Sequence, residues 1–211
     1  GNIFIGFSIL ICGMDFMSDS MRSVRSLPGF DSFLTTLKSP IIALLVSTAF
    51  TGVIQSSAAT IGIVQALALA GGGITWEMAI PLVLGANIGT CVTALISGIG
   101  ANKNAKRVVA MHFTVNVFGS ILCMVIMYIL KAFNLNILGD EIAMVGVAII
   151  HTLFNFINTI ILLPIKKWII GFCIWAVKSG DEKTHTVFLD ERLFNTTPLA
   201  ISECKRLTNE M

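Results

Sequence analysis

In the middle of a long charge-free segment stands the run Gln55-Ser56-Ser57-Ala58-Ala59-Thr60. Its side-chain amide and hydroxyls can surround an oxyanion with donors, and their oxygens can ligate a hard cation. If one helix ends at this turn and another begins, the second presents free N–H groups and a positive dipole end to an anion, and the carbonyls closing the first can hold a cation. A second polar interruption, Gly85-Ala86-Asn87-Ile88-Gly89-Thr90, follows, with Pro81 upstream and Thr93 one turn on. Two glycines around an asparagine predict local unwinding, which frees carbonyls for a hard cation. The same G-x-x-x-G spacing also lets a neighbouring helix approach closely. His112 and Asn116 share one helix face, as do His151 and Asn155. Such pairs act either as a polar pathway or as hydrogen bonds that fix helix packing. Asp15 and Asp19 flank the end of the first apolar run, where Asp15 can approach a cation.

The elements that hold these residues follow from composition. The chain has 211 residues, 55% of them hydrophobic and only 12% charged, with mean hydropathy +0.86; soluble domains carry about 25% charged residues. That excludes a water-soluble globule. A net charge of +2, with no basic stripe of interleaved aromatics, excludes nucleic acid as a partner. Cys12, Cys91, Cys123, Cys173 and Cys204 are too dispersed for a zinc site or a disulfide framework. No nucleophile, base or metal constellation suggests an enzyme, and no cofactor is implied.

Apolar runs at 2–16, 40–72, 78–99, 108–130 and 142–165 predict an all-α polytopic membrane protein over residues 1–165. The stretch Ser39–Trp76 carries no charge, and as one helix its 38 residues would extend about 57 Å, nearly twice the hydrocarbon core of roughly 30 Å. It must fold back or break at Gln55–Thr60, either as a re-entrant helical hairpin with its polar tip at membrane depth or as two strongly tilted crossings. An amphipathic connector over Pro28–Ser39 suits the membrane surface. Residues 166–180, with Lys166, Lys167, Trp168 and Trp175, read as an interfacial linker. Residues 181–211 read as the start of a soluble helical domain, with Pro198 at a helix start. Both termini fall inside structural patterns, so the chain is expected to be part of a longer protein. Lys103, Lys106, Arg107, Lys166, Lys167 and Lys178 on one face outnumber Arg22, Arg25, Lys38 and Lys131 on the other, which predicts a multi-pass protein of the cell membrane with a cytoplasmic tail.

Taken together, Gln55–Thr60, Gly85–Thr90, Ala110-Met111-His112-Phe113 with Asn116, and His151-Thr152-Leu153-Phe154-Asn155 resemble the type II sodium/phosphate cotransporter family over residues 4 to 165. The tail, with Phe188-Leu189-Asp190, resembles the start of the PhoU-like domain of some bacterial members. The resemblance implies two inverted repeats, each with a hairpin and a glycine-rich motif, that couple sodium to phosphate by alternating access. This chain has one copy of each motif and is most similar to the second repeat, so its partner would be an upstream first repeat or an antiparallel second copy. By resemblance, Gln55, Ser56 and Ser57 contact phosphate and sodium, and Asn87 and Thr90 complete the sodium site; Thr60, Thr93, His112, Asn116, His151 and Asn155 serve pathway or packing. Ala58 stands where the family has Ser. A passive anion channel and a membrane anchor or sensor for the cytoplasmic domain are the other readings.

Overall fold

Where no water reaches the backbone, every N–H and C=O must be satisfied within the chain, and this sequence does so with helices. A computed structural model describes residues 1–71, 73–133 and 136–177, together with Ile201, Ser202 and Lys205. Among these residues the chain forms α1 (Asn2–Arg25), α2 (Phe30–Leu37), α3 (Pro40–Ile54), α4 (Ser57–Leu69), α5 (Trp76–Ser97), α6 (Lys103–Ala132), a 3-10 turn (Asn136–Gly139), α7 (Met144–Leu162) and α8 (Lys166–Ala176). Helices α1, α5, α6 and α7 are each long and apolar enough to cross a bilayer, and the chain is an all-α polytopic membrane protein. The stretch read as an interfacial linker is largely the helix α8. Residues 179–211 form a separate unit whose described residues are helical. The helix start at Pro198, the Phe188–Asp190 resemblance, Lys178 and Cys204 lie outside the described residues.

Local chemistry sets the boundaries. Gly29, at φ 94°, makes the left-handed turn into α2. The connector α2 meets α3 at 110°, with Pro40 at the first helical position of α3, where its missing N–H costs nothing. The Asn102 side chain caps α6 by accepting from the Ala105 N–H at 2.9 Å.

Polar contacts give the directions of the helices. Ser47 and Thr48 of α3 donate to the carbonyls of Leu82 and Gly85 on α5, and Thr51 lies against Gly89, so α3 and α5 run parallel. Helices α1 and α4 are likewise parallel, with Met17 against Gly62 and Arg25 donating to the Ala70 carbonyl at 3.3 Å. Helix α6 runs back along α5, its His112 carbonyl near Cys91 and its Lys131 paired with Glu77. One end of the bundle, the base, is stitched by backbone bonds from Ile142 to Ile74 and from Trp76 to Asp140. Helix α5 is the core element, with 56% of its apolar stretch buried against 6% for α1.

The expected unwinding at Gly85–Thr90 does not occur: α5 is helical without a break from Trp76 to Ser97. Its glycines are used by packing instead. A Cβ on Gly89 would stand 2.6 Å from the Thr51 Cβ and 2.7 Å from the Thr48 carbonyl oxygen, and one on Gly85 would strike the Leu44 carbonyl. The close-approach role of G-x-x-x-G is the one this helix performs.

Candidate functional site

The break between α3 and α4 is shorter than the sequence predicts. Only Gln55 and Ser56 leave the helical path, and Ser57, Ala58, Ala59 and Thr60 already form the first turn of α4. Ser is a strong helix N-cap, and here the Ser56 hydroxyl accepts from the Ala59 N–H at 3.2 Å, so the helix restarts at once. Gln55 closes α3 in the left-handed region at φ 61°, the one non-glycine residue with positive φ among the described residues.

The chain reverses at this point. The hydroxyls of Thr51 and Thr60 lie 2.8 Å apart, whereas nine residues along one straight helix would separate them by about 13.5 Å. Thr60 also donates to the Ser56 carbonyl at 3.2 Å. Both threonines are buried, and their bond ties the two arms together one turn below the tip.

Above that tie, the Gln55 amide and the Ser57 hydroxyl have no hydrogen-bond partner among the described residues. Ser56 uses its hydroxyl oxygen as acceptor and keeps its proton to donate. The first-turn N–H groups of α4 and the last carbonyls of α3 have no intrahelical partner by position. Donors for an oxyanion and acceptors for a cation thus converge at one reversal.

The other predicted residues are placed differently. Asn87 is buried and donates to the Val83 carbonyl at 3.0 Å; Thr90 donates to Ala86 at 2.9 Å. Both spend their donors on α5 itself and sit beside the Thr51 turn of α3. Asn116 donates to the His112 carbonyl and Asn155 to the His151 carbonyl. Each asparagine bonds its own helix four residues back, and the His112 carbonyl also accepts from the Cys91 thiol of α5. Thr93 is exposed. Along the parallel α1–α4 register, Asp15 stands level with Thr60, on an exposed position.

Sequence reading missed Ser47, Thr48 and Thr51, which bond or pack across to α5 and hold the first arm. Their signal was present: Ser47-x-x-x-Thr51 repeats the small-residue spacing of Gly85-x-x-x-Gly89. An apolar cavity of about 240 Å³ lies against the arms themselves, lined by Ser47, Phe50, Thr60 and Leu82 among others. Another of about 230 Å³ runs along the seam of α6 and α7, between Trp76 and Asn158.

A bundle of apolar helices that carries a polar reversal has the build of a membrane transporter, in which interrupted helices supply the binding groups. The chain belongs to the Na+/Pi-cotransporter family, whose model matches residues 9–176. It is similar to the uncharacterized protein YqeW of Bacillus subtilis, 28% identical over 170 residues, covering 79% of this chain and 54% of that protein. The putative inorganic phosphate export protein YjbB of Escherichia coli is 22% identical over 213 residues, 99% of this chain and 38% of its own length. Human sodium-dependent phosphate transport protein 2B is 36% identical over 85 residues, 38% of this chain and 12% of its own. The chain spans about half or less of these relatives. The relatives with a stated function are named as transport proteins, not enzymes. No solved structure matches the chain.

Proposed function

We propose that this chain forms one half of a sodium-coupled inorganic phosphate transporter working by alternating access, with the α3–α4 reversal as its half of the binding site. The observation that carries this reading is the unpartnered polar group at Gln55–Ser57, held where two helix ends meet in an otherwise apolar bundle. Phosphate takes hydrogen bonds from the Gln55 amide, the Ser56 and Ser57 hydroxyls and the first-turn N–H groups of α4, with the helix dipole favouring its charge. Ala58 contributes its backbone N–H and no hydroxyl.

Sodium takes oxygens. The last carbonyls of α3 supply them, and the Asn87 and Thr90 side chains, each donating to its own helix, keep oxygen lone pairs for a cation. In this reading α3 and α4 are a re-entrant hairpin whose arms, 15 and 13 residues long, return to the face they entered. Hairpin and α5 then move together against a scaffold. The cytoplasm faces the lysine-rich starts of α6 and α8, and the tail lies on that side. The facing half of the site comes from another repeat of the protein or from an antiparallel copy.

The test is radiolabelled phosphate flux in proteoliposomes of the full-length protein, with and without a sodium gradient. Flux that follows the gradient and falls at least tenfold in Gln55→Ala and Ser57→Ala supports the proposal. Flux indifferent to sodium marks a passive channel. No flux, with binding of a soluble partner by the tail, marks an anchor or sensor.

A further inference from the structure

The two ends of the bundle differ in charge in a way that phosphate transport does not use. At the base, Lys131 is paired with Glu77, and Asp140 and Glu141 lie on the adjoining connection. At the other end, α6 opens with Lys103, Lys106 and Arg107, and α8, starting just after α7 finishes there, opens with Lys166 and Lys167. No carboxylate on the described residues of α6, α7 or α8 accompanies these five cations. Their charge is uncompensated within those helices.

Two further observations say what meets it. Arg107 is only partly buried, and its guanidinium, Nε included, has no hydrogen-bond partner among the described residues, which leaves its outer N–H groups for an acceptor from outside the chain. Helix α8 packs against α6, buries Cys173 and turns outward a face of Lys167, Trp168, Phe172 and Trp175, with Trp168 83% and Trp175 67% exposed. Gly171 lies in the middle of that face, and a Cβ there would meet nothing within 4 Å. Its missing side chain therefore leaves a gap that is open and not filled by a neighbouring helix. Lysines beside exposed tryptophans suit the headgroup layer, where indole rings sit at the boundary of apolar and polar.

We propose that the α6–α8 end is a docking surface for anionic phospholipids. Their phosphates pair with Lys166, Lys167 and Arg107, and their upper acyl chains fill the gap over Gly171 between Trp168 and Trp175. Charge complementarity selects anionic over zwitterionic lipid, and the aromatic face selects a lipid over a free anion.

The experiment places the full-length protein, with every tryptophan other than Trp168 and Trp175 replaced by phenylalanine so that these two report, in phosphatidylcholine bilayers containing phosphatidylglycerol. Bromine is placed on the chains of one lipid at a time, and tryptophan quenching is read. Brominated phosphatidylglycerol is expected to quench about threefold more than brominated phosphatidylcholine at equal mole fraction. The preference should fall severalfold in Lys166→Gln/Lys167→Gln and in Arg107→Gln, and decline in high salt. Lys166→Arg/Lys167→Arg should keep it, which separates lost charge from lost fold. Equal quenching by the two lipids, loss of preference in the arginine variant, or displacement of phosphatidylglycerol by millimolar inorganic phosphate would each overturn the proposal.

Discussion

The seam between α3 and α5 and the seam between α6 and α7 join parallel and antiparallel neighbours of similar composition, yet they are built in opposite ways. In the first, Gly85 and Gly89 bring backbones into contact, Ser47 and Thr48 donate across to α5, and Thr51 pairs with Thr60 of α4, so all three hydroxyls are hydrogen-bonded. In the second, closest approach is at Gly119, where Asn158 lies across the glycine and donates to the Val115 carbonyl at 3.4 Å; the Asn158 Oδ1 and the Ser120 hydroxyl are buried without partners, and an apolar groove opens alongside. Lipid tails are as apolar as leucine, so membrane helices associate through close packing and hydrogen bonds. The first seam has both. It is the fixed frame that holds the polar reversal, and the second is the looser region.

Substitution at the glycines separates the seams most strongly. Gly89→Leu should leave no folded protein by size-exclusion chromatography, and Gly89→Ala should cost about 3 kcal/mol in detergent unfolding, since its neighbours are the Thr51 Cβ, fixed to the backbone, and two backbone atoms of α3. Gly119→Ala meets only the movable amide of Asn158 and should cost about 1 kcal/mol. A reversed order would mean that the α6–α7 seam is the tighter of the two. Next in size, Ser57→Ala should reduce phosphate flux about tenfold, roughly 1.4 kcal/mol, with thermal stability unchanged, because that hydroxyl supports no other residue. A double-mutant cycle of Thr51→Val and Thr60→Val should give a coupling of about 0.6–1.7 kcal/mol, locating the tie between the arms. Smallest of all, Asn158→Leu should change stability by less than about 1 kcal/mol, because it removes an unpaired acceptor along with a long bond.

Much of this was legible in the residues. The length of the charge-free segment required it to fold back or break, and the polar run Gln55–Thr60 was the place for it. The extent of the turn was not, because Ser56 caps α4 and helix resumes at Ser57, a competition between polar residues and capping that a polar run does not reveal by itself. The glycine motif of α5 could be read as unwinding or as close packing, and the choice depended on a partner 40 residues earlier in sequence. The histidine and asparagine pairs were visible as pairs, but four-residue spacing serves a bond to one's own helix as readily as one to another.

The left-handed backbone of Gln55 has a consequence for how stability and activity relate. Holding a side-chain-bearing residue at φ 61° costs about 1–2 kcal/mol, whereas glycine adopts the conformation freely. Gln55→Gly should therefore raise the melting temperature while removing the amide that the proposed site offers to phosphate. Activity and robustness would move in opposite directions at one position, so selection for a hardier protein alone would erase the glutamine, and its presence measures what the amide is worth to the working molecule.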